Sequence, residues 1–454
     1  MKRMYIILAA AAFLFAGCSD KQKEEPEIHP SVADLLKENV PVYEDGEAEH
    51  YTIDEWADLV YGKDGANADE SAASAKADFK KRMYEKQDSL ANVRGENAFT
   101  LIFGRKTFNY QSVDENGNPI TLSAFLGWGE YWLFFNYYPL DQDNIRLVCP
   151  YTHTKESECA TADGGGYEFT LQTFDELFIM PDGEGFGVNK NHDQLYLNHN
   201  VQARQLYDAL AAGYEIYTKN VKGDFEDDWH LHVIGASQGA ADAIAVHKLL
   251  DTHSIFGVTF GDLWHFNYSY VCCGPYCPEV TMERYYSLRE IYYPLVLPLT
   301  IKSMRASYPW LAEKYPEERF YTSKYTANMS EWNRIITNKE LTADDLNSKL
   351  FKALQEGSDK GKNYLRIENI LSAEVLDETS EIYKDFISCL KEQDLTSGWT
   401  PKTKSYVYYS KKDEVVPYEN TRKLLDLFGS LAKPEEAFWD DHVDCCTQFM
   451  LKAW

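Results

Sequence analysis

The chain of 454 residues carries 45 Lys and Arg against 72 Asp and Glu, a formal charge of −27, which excludes the basic surface a nucleic-acid binder needs to displace counterions from phosphate. Hydrophobic residues make up 44% and aromatic ones 14%, too apolar for a disordered chain and enough for a sizeable core. A mean hydropathy of −0.46 excludes a polytopic membrane protein.

At the N-terminus Lys2 and Arg3 precede an apolar run from Met4 to Phe15, then Ala16-Gly17-Cys18. The run is too short to span a bilayer and has the layout of a signal peptide over residues 1–17. Small residues before a cysteine resemble a bacterial lipobox, which implies that Cys18 is lipidated; Phe15 stands where that motif prefers Leu. The expectation is an exported protein anchored to the cell envelope. Ser19–Pro30, charged and Pro-containing, reads as a tether, and a body this acidic is held at a membrane by its lipid, not by anionic headgroups. Tether and N-terminal extension cover 18–97, with helices expected over Thr52–Val60 and Ser71–Leu90.

The character changes at Ala98. Phe99–Val113 is β-rich, and Glu115-Asn116-Gly117-Asn118 supplies a turn into Ile120–Leu126, a hairpin. Apolar strand-like runs then alternate with helical periodicity: Ile145–Val148, Leu177–Met180, Leu231–Ile234, Ile255–Phe260 and Tyr406–Tyr409. Ala203, Tyr207, Leu210, Tyr214 and Tyr217 fall on one helix face. This alternation predicts an α/β architecture, a mainly parallel sheet flanked by helices.

The most informative segment is His230-Leu231-His232-Val233-Ile234-Gly235-Ala236-Ser237-Gln238-Gly239, a strand, a sharp turn and a helix start. A nucleophile at such a turn needs small neighbours two before and two after, and Gly235 and Gly239 meet that need. The Gln238 peptide N–H, at the helix start, can face an oxyanion. A serine hydroxyl also needs a base, and the base a carboxylate to fix its tautomer. Asp413 follows the strand Tyr406–Tyr409, with Glu414 as the rival acid. His442, the only His after His265, precedes a final helix.

In this order the residues resemble an α/β-hydrolase, and more closely the secretory lipase family: Gly235-Ala236-Ser237-Gln238-Gly239 is similar to the nucleophile elbow, and Asp413-Glu414-Val415-Val416-Pro417 with Thr421 to the family's acid loop. Ala236 replaces the aromatic often found before such a Ser. The resemblance implies a Ser237–His442–Asp413 triad, hydrolase core over 98–261 and 401–454, and a helical cap insertion over 262–400. It also places the second oxyanion N–H on the loop after the third strand, among Thr152, His153 and Thr154, with Thr154 taken as the donor. Asp182-Gly183-Glu184-Gly185-Phe186-Gly187 resembles a loop after the fourth strand of these enzymes. Cap aromatics such as Tyr285, Tyr293 and Trp332 are candidates for an apolar pocket.

Eight cysteines follow Cys18, an even number that in an exported protein favours disulfides. Cys272, Cys273 and Cys277 lack a second pair at finger spacing, so no metal site is expected, nor any cofactor. The functional expectation is a serine hydrolase cleaving small-molecule or lipid esters. A serine peptidase or amidase on the same fold and a non-catalytic binding lipoprotein are the alternatives; oligomeric state is open.

Overall fold

The computed structural model describes residues 40–61, 70–94, 100–162, 174–355, 364–438 and 441–452. The expected signal peptide, the expected lipidation site Cys18 and the expected tether lie outside the described residues.

Eleven strands form one sheet. Its first eight strands are β1 (Tyr43–Asp45), β2 (Glu49–Thr52), β3 (Thr100–Val113), β4 (Pro119–Leu133), β5 (Asn136–Pro139), β6 (Gln142–Val148), β7 (Glu176–Pro181) and β8 (Phe225–Ala236). After a small hairpin, β9 (Ser254–Ile255) and β10 (Val258–Thr259), comes β11 (Phe266–Cys272). A second short pair, β12 (Glu290–Ile291) and β13 (Leu365–Arg366), precedes β14 (Lys404–Tyr409) and β15 (Ala432–Glu436). The sheet order is β1-β3-β4-β7-β6-β8-β11-β14-β15, with β2 beside β3 and β5 beside β4. From β7 to β15 all neighbours are parallel; β1 to β5, and the β4–β7 contact, are antiparallel.

The expected β3–β4 hairpin is present, its turn closed by Asp114, whose Oδ1 accepts from the Asn116 and Asn118 N–H groups at 2.9 and 2.7 Å. Gly117 takes φ +78° there, a conformation open to glycine without strain. Two expectations need correction. The extension adds β1 and β2 to the sheet edge besides its helices α1 (Ile53–Tyr61) and α2 (Glu70–Arg94). Residues 255–260 do not make the sixth core strand: Phe256 and Gly257 have positive φ and turn the β9–β10 hairpin. That strand is β11, so the segment 262–400 begins with core sheet before its helices. Phe266-Asn267-Tyr268-Ser269-Tyr270 mixes aromatic and polar residues and lacks the apolar run expected of a buried strand.

Helix α3 (His199–Ile216) packs against β3 and β7, and α4 (Gln238–Thr252) against β8, β11 and α3. The main core threads sheet and both helices, through Leu147, Ile179, Leu210, Val233, Ile244 and Val271 among others. Residues 278–392 build α5 (Pro278–Leu288), α6 (Val296–Ser307), α7 (Met329–Thr337), α8 (Ala343–Leu354) and α9 (Glu381–Glu392). These close over a separate apolar cluster that includes Leu297, Met304, Phe320, Trp332, Leu350 and Phe386. The chain returns through β14, α10 (Tyr418–Phe428) and β15 to α11 (His442–Lys452). Among the described residues no helix is long and apolar enough to cross a membrane.

Candidate active site

β6 leads to β7 on one side and α3 leads to β8 on the other, so the strand order reverses between the parallel β6 and β8, where the carboxyl edge of the sheet opens a crevice. Register aligns that edge: Val148 pairs with Ile234, Ala236 with Cys272 and Cys272 with Tyr408. Ser237 therefore leaves the sheet beside the loop after β6, at the same edge that carries the loop after β14 two strands away.

Ser237 has φ +53° and ψ −123°, a strained conformation for a residue with a side chain. The surroundings hold it there: its N–H donates to the Cys272 carbonyl at 2.9 Å and its own carbonyl accepts from Ala240 N–H at 3.0 Å. The glycines are needed for close approach. A Cβ on Gly235 would lie 2.0 Å from the Gly239 carbonyl oxygen, and one on Gly239 would lie 2.5 Å from that of Cys149.

Ser237 Oγ lies 3.0 Å from His442 Nε2, and His442 Nδ1 lies 2.7 Å from Asp413 Oδ2. Asp413, with a side chain only 2% exposed, is oriented by Val415 and Val416, whose N–H groups donate to its Oδ1 at 2.9 and 2.7 Å. Glu414 takes a different position: its Oε2 accepts from the His442 backbone N–H at 3.3 Å, so it fastens the start of α11. Burial pushes the His442 imidazole down, but the Asp413 carboxylate and the Cys446 sulfur beside it outweigh burial and hold it well above the usual imidazole range. When the imidazole is neutral and Nδ1–H donates to Asp413, Nε2 is left to accept from Ser237, an arrangement that can act as a base whose tautomer is set by the acid.

Ser237 and His442 line a cavity of about 330 Å³, with Asp413 behind the imidazole. Its walls come from the loop after β6 (Tyr151, Thr152, Glu158), from Tyr196 and Leu197, and from the insertion (Met282, Tyr285, Tyr293, Val296, Asp344). Tyr285 donates to the Val415 carbonyl, tying the insertion to the acid loop. Tyr286, Phe320, Tyr321 and Trp332 instead pack inside the insertion's own cluster.

Gln238 N–H heads α4 directly after Ser237. Thr154 does not fit as the second donor. Its N–H donates to Glu158 Oε2 at 3.3 Å and its hydroxyl to the Leu341 carbonyl at 2.8 Å, and it lies off the cavity wall that Thr152 occupies. Thr152 takes its place as candidate; the choice depends on how the loop curls under the insertion, which local sequence does not reveal. The loop after β7 is structural: Asp182 Oδ2 accepts from Ser123 Oγ and Thr161 Oγ1 at 2.5 Å each. His199, wholly buried, has Nδ1 3.6 Å from Asp242.

All eight described cysteines are thiols. Cys277 sits apart, against Asn420 and Lys423. Cys445 and Cys446 of α11 instead join Cys272 and Cys273 beneath His442, with Cys273 Sγ 3.4 Å and Cys272 Sγ 3.8 Å from Cys445 Sγ. Sequence reasoning missed this grouping, although 272–273 and 445–446 are the only adjacent cysteine pairs in the chain.

No protein-family model matches the sequence, and no curated protein matches it. Solved structures do. The ligand-bound form of the rice cell wall degrading esterase LipA from Xanthomonas oryzae is 16% identical with a TM-score of 0.61, over 90% of this chain and 94% of that one. The chain has the α/β-hydrolase fold. A second structure of LipA superposes with a TM-score of 0.60 at 14% identity over the same shares. A Legionella pneumophila protein solved as a candidate hydrolase does so at 0.54 and 14%, over 77% of this chain and 87% of its own.

Proposed function

We propose that the protein is a serine hydrolase that cleaves carboxylic esters. The observation that carries this reading is the continuous hydrogen-bonded run Asp413–His442–Ser237, opening into a mainly apolar cavity. Ser237 Oγ attacks the ester carbonyl carbon as His442 Nε2 takes its proton, and the Gln238 and Thr152 N–H groups face the developing oxyanion. Collapse of the tetrahedral species breaks the bond to the leaving oxygen, which receives the proton from His442. Water then attacks the acyl-enzyme with His442 again as base, releasing the acid and restoring Ser237. Ester cleavage also fits the esterase LipA, which shares the fold.

A second reading rests on one observation: Glu158 and Asp344 stand in the cavity wall, and two acids there favour substrates with an ammonium group, as on an aminoacyl ester or peptide N-terminus. Turnover of p-nitrophenyl acetate, butyrate and laurate, beside aminoacyl p-nitroanilides, separates the readings. The ester reading expects ester turnover that Ser237→Ala abolishes; anilide turnover exceeding that of the esters selects the second. Equal rates in wild type and Ser237→Ala contradict both.

The export reading rests on Lys2, Arg3, the apolar run and Cys18. Labelled palmitate incorporated by cells expressing the full chain, and lost in Cys18→Ala, is the expected result.

A further inference from the structure

Beneath His442 lie four sulfurs from two adjacent-cysteine pairs that are distant in sequence. Cys272 and Cys273 end β11, whose Cys272 carbonyl accepts the Ser237 N–H at 2.9 Å. Cys445 and Cys446 lie in the first turns of α11, the helix that His442 begins. Cys272, Cys273 and Cys445 offer sulfurs within 4.8 Å of one another, as do Cys273, Cys446 and the His442 ring nitrogen. Cys272, Cys273 and Cys445 are buried, whereas Cys446 lines the substrate cavity.

Two chemistries suit clustered thiols, a thiolate-bound metal and a disulfide. The surroundings decide between them. Apart from His442 on one side, the cluster packs against Ile234, Ala236, Tyr408, Ala437 and Phe449, a largely apolar shell in which four thiolates around a divalent ion leave a net negative charge to be buried, at a high desolvation cost. A disulfide is neutral and suits the same shell. We propose that Cys273 and Cys445 form a redox-closable disulfide that fixes the His442 helix to the strand end beside Ser237.

Their sulfurs lie 3.4 Å apart, closer than the 3.8 Å between Cys272 and Cys445, and must approach to about 2.0 Å to bond. Oxidation enters through Cys446, the thiol facing the cavity. Its thiolate attacks an external disulfide, one half leaving as a thiol. Cys273 then attacks Cys446 Sγ, expelling the other half as a thiol. Finally Cys445 attacks Cys273 Sγ, releasing Cys446 as a thiol. Two protein thiols have become one disulfide and the external disulfide two thiols, with the protons passing from the attacking to the expelled sulfurs. Cys273 and Cys445 are positioning residues: the bond shares a helical turn with His442 and a strand end with the elbow, so it holds base and nucleophile in register.

The test uses the full chain, treated with glutathione disulfide or with a phosphine reductant. Tandem mass spectrometry of an unreduced digest should show the 273 and 445 peptides joined and lighter by two hydrogens, in wild type and Cys272→Ser but not in Cys273→Ser. Reduction should lower kcat several-fold at unchanged KM while circular dichroism shows the folded fraction unchanged, since unfolding alone would also lower apparent kcat at constant KM. The kcat result rests on the serine-hydrolase reading; the mass result does not, so the two can fail separately. No joined peptide, a different pairing, stoichiometric bound zinc, or a kcat indifferent to reduction overturns the proposal.

Discussion

The sheet edge and the helical insertion solve different problems with different materials. At the edge, Ser237 is held by backbone: a positive φ, two glycines packed against carbonyl oxygens, and a helix whose alanines Ala240, Ala241, Ala243 and Ala245 are buried. The insertion instead uses large side chains. Its apolar cluster is separate from the sheet core, and it lends the site walls such as Met282, Tyr285, Tyr293 and Val296. Under the proposed function, reaction rate falls to the edge and substrate choice to the insertion, and substitutions on either side test that division.

The largest effect belongs to the edge. Ser237→Ala or His442→Ala should lower kcat by about 10⁶-fold, and Asp413→Asn by about 10⁴-fold, with little change in KM, in steady-state ester hydrolysis. Next comes Trp332→Ala, which empties a fully buried site in the insertion and should cost about 3–5 kcal/mol. Hydrogen exchange should show protection lost over α7 and α8 and kept over β8 and β11; loss in both would merge the two regions into one cooperative unit. Gly239→Val, whose added carbons meet the Cys149 carbonyl, should destabilise the core by about 3 kcal/mol, read from the urea midpoint.

Smaller and more selective is Val296→Trp. By filling the cavity wall it should lower kcat/KM for laurate about tenfold relative to acetate, since chain-length discrimination in apolar pockets is worth about 1–3 kcal/mol. The mildest test is pH. A protonated imidazole cannot take the Ser237 proton, and His442 titrates above the usual imidazole range, so kcat/KM should fall as pH drops through a value above about 6.5. An acid limb well below that would mean the Asp413 and Cys446 contacts do not govern the base.

The same division explains what could be read from sequence. Ser237, Asp413 and His442 are legible because each sits on a local pattern, a strand followed by a turn or a helix, and the glycines announce a close approach before any coordinate is known. β11 escaped because Tyr268, Ser269 and Tyr270 do not look like a buried strand, and the more apolar 255–260 looked like one. Thr152 and Thr154 differ only in tertiary surroundings, since Glu158 and Leu341 claim the polar groups of one. The Cys273–Cys445 contact spans 172 residues, a separation that no local pattern bridges.

The central claim is that Ser237 is a nucleophile activated by His442. Intact-protein and peptide mass spectrometry after exposure to a fluorophosphonate tests it most directly. The account predicts one stoichiometric adduct on Ser237 that forms at least about a thousandfold more slowly in His442→Ala. Labelling elsewhere, or labelling of Ser237 at the same rate without His442, contradicts it.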